Sequence, residues 1–292
     1  MINKILLILL SWSLINAEPK KTLFDYRHNI FSQSGEDGMI SKIFEIIGTT
    51  SKISVEFGAW DGIYLSNTAN LWTSDSSWQG VLIEGDQDKF KQLLGTVSFF
   101  PNCKAINAWV GKDTDDCLEM LLHKNGIIQD IDLLSIDIDG NDYYMIESLD
   151  DIRPRVIVVE YNPTIPSHYD IYAPYSKDNQ IGASVGALMR IAEEKGYKLV
   201  GLSTLNAFFV RNEEFDKFNH LETQLPMINI HNYVVCITTY DGKFAFISNK
   251  KAGFYHGLNQ QYRGKLCGEY QRIDNEDISF PFDYRPVYNL KS

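Results

Sequence analysis

Five short apolar runs in this sequence each end in carboxylates, amides or glycines, the side chains that grip a small polar ligand. The first, "SVEFGAWDG" at 54–62, carries Glu56, Gly58, Asp61 and Gly62. The second, "VLIEGD", ends in Glu84, Gly85 and Asp86. The third ends at Asn107, the fourth in "IDIDGND" with Asp137, Asp139, Gly140, Asn141 and Asp142, and the fifth in Glu160, Tyr161 and Asn162. Glu84 lies 22 residues after Gly62, where an acid accepts both hydroxyls of a ribose. The first turn is Glu-x-Gly-x-x-x-Gly, without the three glycines that bring a helix N-terminus to a pyrophosphate, and its glutamate repels phosphate. The expected ligand has a ribose, no phosphate and a positive charge. S-adenosylmethionine fits, with its sulfonium, amino group and ribose diol.

For these ends to converge, the runs must be strands of one sheet. Helical spacing predicts a helix over 34–48, with a capping serine, acids in its first turn and Gly48 as its stop. Strand and helix then alternate through "KISVEF", "LSNTANLWTSD", "WQGVLIEGD", "QDKFKQLLGTV", "NCKAINAWVG", "DTDDCLEMLLHKNG", "IDLLSIDIDG", "NDYYMIESLDDI", "RVIVVEYN" and "SVGALMRIAEEKG". Two more strands, "YKLVGLS" and "AFFVRN", follow on a short link that implies a hairpin and hence an antiparallel strand inside the sheet. The strands are continuous apolar runs, as when helices cover both faces. The expected fold is α/β: a Rossmann-like, mostly parallel seven-stranded sheet with helices on both faces and the last strand antiparallel. Ligands of such sheets sit at the strands' carboxyl ends.

Three regions are expected: residues 1–17, a Rossmann-like domain over 30–218, and an aromatic, turn-rich extension over 219–292. The first has Lys4, an apolar run from Ile5 to Ile15 and Ala17 before a polar stretch, the layout of a secretory signal or an uncleaved anchor. It is shorter than the ~20 apolar residues of a membrane span. The expected location is the secretory pathway, the periplasm or a membrane surface, with membrane contact only through that anchor. The extension contains a β-hairpin signal around Asp241 and Gly242. The 292 residues carry a net charge of −11 and 44% hydrophobic side chains, enough for a large core, and the charge disfavours a nucleic-acid partner. Cys103, Cys117, Cys236 and Cys267 form no metal-ligand spacing. In an oxidising compartment they can pair or remain packed thiols.

"SQSGEDG", "VEFGAWDG", "VLIEGD", "LLSIDIDGNDYYMIESL" and "VVEYNP", in this order, resemble the FkbM-like branch of class I S-adenosylmethionine-dependent methyltransferases over roughly 32–215. "EFGAWDG" stands at the family's first cofactor motif and "IEGD" at its second. "IDIDGND" replaces an Asp-Val-Glu-Gly type of stretch, with Asp139 in place of the glutamate. The resemblance implies O-methylation of a sugar or another hydroxyl-bearing metabolite, so the partner is a small molecule or glycan.

Cofactor contacts are expected from Glu56, Gly58, Asp61, Gly62, Asn67, Glu84, Asp86, Asn107 and Asp137, and proton handling from Asp139, Asp137 and His168. No metal ligand is assigned. Plainer roles compete: Asn67 and Asp86 as helix caps, Asn107 as a turn residue, Asn141 and Asp142 as a helix start, His168 as a surface histidine. Gln33 and Glu36 cap the first helix or touch the site edge. Two other functions compete. Asp137-x-Asp139 can hold a divalent metal against a sugar nucleotide in a glycosyltransferase, and the fold can serve a non-catalytic binding protein.

Overall fold

The computed structural model describes residues 20–112, 117–127, 130–165, 167, 169–177, 179 and 181–223, and the backbone of three short strands beyond them. The expected signal, residues 1–17, lies outside the described residues, as does the Asp241–Gly242 turn. Among the described residues no helix is long and apolar enough to cross a membrane.

Seven strands form the main sheet: β1 (Ile53–Phe57), β2 (Gln79–Glu84), β3 (Cys103–Asn107), β4 (Leu133–Ile136), β5 (Val156–Glu160), β6 (Tyr197–Leu202) and β7 (Asn206–Arg211). Their order is β3-β2-β1-β4-β5-β7-β6. The first five pair in parallel. β7 runs antiparallel to both β5 and β6. This is the expected Rossmann-like sheet with a reversed last strand inside it, between β5 and β6. Beyond it, β8 (Val234–Thr238) and β9 (Phe244–Ser248) pair antiparallel, and β10 (Tyr270–Arg272) adds in parallel to β9.

Side-chain alternation along the buried strands sends residues to two layers. Leu134, Ile157, Val159 and Phe209 pack with helices α4 (Leu118–Lys124), α5 (Asp142–Glu147) and α6 (Val185–Glu194). Leu133, Val156, Val158 and Phe208 pack on the other face with α1 (Glu36–Ile47), α2 (Ala69–Ser74) and α3 (Gln87–Val97). Helices on both faces explain why the strands read as unbroken apolar runs.

The cap of α1 differs from expectation. Gly35, not Ser34, holds the N-cap position, at φ 97°. A Cβ there would lie 2.3 Å from that of Arg27, so close packing of the preceding turn dictates a glycine. Ser34 donates its backbone N–H to Glu36 instead. Gln33 caps nothing by its side chain; its carbonyl accepts from Asn29. Glu36 is buried and ties the helix to the β6–β7 turn, accepting from Ser203 Oγ at 2.6 Å and Asn206 Nδ2 at 3.2 Å.

At the opposite edge of the sheet Arg155 is buried. It donates to Asp132 at 2.8 Å, to Glu214 at 2.6 Å, and to the carbonyls of Ile47 and Gly48. Those carbonyls belong to the open C-terminal turn of α1, so one guanidinium satisfies a helix end and two acids.

Candidate functional site

The order reverses direction between β1 and β4, so the crevice opens where their carboxyl ends diverge. Gly58 stands at the β1 exit with φ 78°, and a Cβ there would lie 1.8 Å from the Asp137 carbonyl oxygen. The glycine is therefore demanded by the approach of the β4 exit, before any ligand is considered. Gly62, at φ 83°, is closed off by Leu93 of α3.

Glu56 lies beneath the loop that follows. It accepts from Ser66 Oγ and Thr68 Oγ1, each at 2.6 Å, and from the Asn67 backbone at 2.9 Å. Burial raises its pKa, and these three donors oppose the rise. Asn67 reaches across to Ser135 Oγ on β4. Asp61 accepts from the backbone of Ile63 and Tyr64. These side chains shape the loop, and every polar contact described for them is internal.

Glu84, at the β2 exit, is 5% exposed. One carboxylate oxygen accepts from the Trp60 N–H at 2.8 Å and the other from the Asp86 N–H at 2.7 Å. The group is thus fixed in direction by two backbone donors, with lone pairs left for further hydroxyls. Asp86 caps α3 by accepting from Asp88 and Lys89, and these bonds lower its pKa. Asn107 donates to the Glu84 carbonyl at 2.8 Å and accepts from Gln87, closing the β2–β3 end.

The other half of the crevice is acidic. Carboxylate oxygens of Asp137, Asp139 and Glu160 all lie within 4.8 Å of one another. Strand alternation does not pair Asp137 with Asp139, because β4 ends at Ile136. The turn brings them together, with Asp139 at φ 57° and Gly140 at φ 147°. Asp142 holds that turn, accepting from the N–H of Ile138 at 3.0 Å and of Gly140 at 2.9 Å. Asn141 fixes it from outside through Ser176. Glu160 joins from β5, the neighbouring strand.

Desolvation, then the charges of Asp142 and Asp139, hold Asp137 well above the ordinary aspartate range. Its surface is open at the crevice mouth, so water relieves part of that desolvation, while repulsion among the facing acids remains. Glu160 is raised by the same two causes, and desolvation brings Asp142 to about 6. Such a group of acids suits a cation, and among the described residues these three carboxylates are grouped closely enough to hold a metal ion. His168 lies outside the described residues. Cys103 and Cys117 are free thiols.

Residues 115–199 match the family model described as a methyltransferase FkbM domain. That span takes in β4, the acidic turn, β5 and α6. No curated protein sequence matches the chain. A precorrin-6y C5,15-methyltransferase from Geobacter metallireducens aligns over 64% of this chain and 92% of its own, at 11% identity and a TM-score of 0.37. The N-terminal domain of EvdMO1, in the presence of SAH and D-fucose, aligns over 64% and 91%, at 11% identity and 0.41. PKMT2 from Rickettsia typhi, in complex with AdoHcy, aligns over 81% and 66%, at 9% identity and 0.43. The strand order itself defines the fold as Rossmann-like. Residues 115–199 are thus similar to the FkbM methyltransferase domain, and they lie within a seven-stranded Rossmann-like sheet of order β3-β2-β1-β4-β5-β7-β6.

Proposed function

We propose that the domain transfers a methyl group from S-adenosylmethionine to a hydroxyl of a sugar or similar small metabolite. The observation that carries this reading is Glu84, buried at the β2 exit and aimed by two backbone N–H groups beside a turn that repels phosphate. Its free lone pairs suit a ribose diol, and the acids between β4 and β5 suit a cationic centre. The cofactor supplies a methyl already activated on a sulfonium.

The chain's own work is alignment and proton handling. An acceptor oxygen must stand about 3 Å from the methyl, in line with the leaving sulfur. Asp139, and next Asp137, face the crevice to orient that hydroxyl and take its proton. Desolvation and the facing acids raise the proton affinity of Asp137, so in its ionised form it is a stronger base toward the acceptor hydroxyl. The family match gives no support to sugar-nucleotide transfer at Asp137-x-Asp139.

Calorimetric titration of the chain with S-adenosylmethionine tests the reading. Glu84→Ala is expected to weaken binding by about 1.5–3 kcal/mol, the scale of hydrogen bonds made with a charged group. Unchanged affinity in a folded variant removes the ribose assignment. A panel of hydroxyl-bearing sugars, scored for methyl incorporation, tests the acceptor class.

Export belongs to the same proposal. The basic-apolar-small layout of residues 1–17 supports passage out of the cytosol, by cleavage after Ala17 or retention as an anchor. Intact mass and fractionation in the native host measure it. A cytosolic chain that keeps Met1 would overturn it.

A further inference from the structure

Trp109 is 74% exposed, although an indole is among the most costly side chains to leave in water. Its placement is specified by backbone. Glu84 and Asn107 are the last register pair of β2 and β3, and the Ala108 N–H donates to the Glu84 carbonyl at 3.2 Å, one residue past the strand. The pairing thus delivers residue 109 beside residue 85.

Residue 85 is a glycine without a positive φ, so backbone conformation does not demand it. Its neighbour does. A Cβ on Gly85 would lie 2.4 Å from Cδ2 of Trp109 and 2.7 Å from Cε2 and Cε3. The fused part of the indole occupies the space of the missing side chain. The other exposed indole near Glu84 has company: Trp60 meets Tyr64 at 5.6 Å between ring centroids and Lys89 at 4.3 Å. Among the described residues no ring or cation is recorded against Trp109.

Direction follows from charge. The acids sit at the β4–β5 exits and draw the cationic end of the cofactor there. Glu84, at β2, takes the ribose. The base then extends to the remaining side, over β3, where Trp109 stands. We propose that Trp109, seated on Gly85, is the stacking surface for the adenine ring. This rests on the S-adenosylmethionine reading above. Stacking covers the open face of the indole and needs no hydrogen-bond readout.

The test is calorimetric titration of the full chain with S-adenosylhomocysteine and with adenosine, alongside tryptophan fluorescence. Trp109→Ala is expected to weaken both ligands about tenfold, the scale of base–aromatic stacking. Trp109→Phe keeps a ring and should restore affinity to within about threefold of wild type, while the ligand-induced quenching of emission disappears. Gly85→Ala drives a methyl into the indole and should reproduce the loss with Trp109 still present. An equal loss for adenosine and S-adenosylhomocysteine assigns the effect to the base and not to general loosening. Wild-type affinity in Trp109→Ala and in Gly85→Ala would overturn the proposal and leave the cofactor reading standing. Wild-type protein that binds neither S-adenosylmethionine nor S-adenosylhomocysteine would overturn both.

Discussion

Asp139→Asn is expected to lower methyl transfer by about 10²–10⁴-fold, the range of a lost general base, while cofactor binding is retained. The substitution isolates chemistry from folding. Asparagine matches aspartate in size and tolerates the left-handed backbone at φ 57° that residue 139 adopts. The groups that hold the turn, Asp142 on the N–H of Ile138 and Gly140, are untouched. What changes is one carboxylate within 4.8 Å of two others. Desolvation first, and the facing acids next, raise Asp137 and Glu160 well above their ordinary ranges, so removing one charge also eases ionisation of the rest. Transfer by the wild type should therefore rise with pH as the cluster gives up its protons, and the variant should lose most of that rise. Methyl incorporation across pH, paired with calorimetry, measures both halves. Equal rates in the two proteins would remove Asp139 from the mechanism. Sugar-nucleotide binding that needs Mn²⁺ or Mg²⁺, and that the variant loses, would replace methyl transfer with the Asp-x-Asp reading.

Arg155→Ala is expected to cost about 3–5 kcal/mol of unfolding free energy, as when one partner of a buried pair is removed. Asp132 keeps the N–H groups of Thr50 and Lys52 and the Thr50 hydroxyl. It loses its only described cationic partner. Glu214 keeps Lys217. The carbonyls of Ile47 and Gly48 lose their guanidinium donors, which strips the end of α1. Urea denaturation measures the loss. Lys91→Ala, which removes an exposed pair with Asp88, is the control and should leave the midpoint unchanged. Equal midpoints for the two variants would show that the Arg155 cluster does not hold the sheet.

The alternation of elements was legible because it is local. Unbroken apolar runs, capped helices and a three-residue link between the last strands are written in neighbouring residues. The crevice acids were legible for the same reason: each terminates its own run. What lay beyond reach depends on partners distant in the chain. The short link gives a hairpin and an antiparallel strand inside the sheet, but no local signal says that β7 pairs with β5 on its other side. Gly58 looked like a concession to ligand, but the Asp137 carbonyl, just past the end of β4, imposes it. Asn67 and Asn107 had both ligand and structural readings, and the bonds the structure gives them, to Ser135 on β4 and to the Glu84 carbonyl on β2, come from partners far along the chain. Glu160 joins Asp137 and Asp139 only because β5 lies beside β4. Trp109 carries a signal visible in hindsight, an aromatic residue two positions past a strand end, but its meaning depends on a glycine 24 residues earlier.

The inserted position of β7 has a consequence during synthesis. β5, with Val156, Ile157, Val158 and Val159 all buried in the finished fold, emerges long before the strand that covers its free side. β6 emerges next but cannot cover it, because its place lies beyond β7. Until residues 206–211 leave the ribosome, a Val-Ile-Val-Val edge stands open, with unpaired N–H and C=O groups and no charge until Glu160. Translation that stops short of Asn206 yields a chain primed to pair with its own kind, whereas one that reaches Arg211 can close the sheet in a single hairpin step.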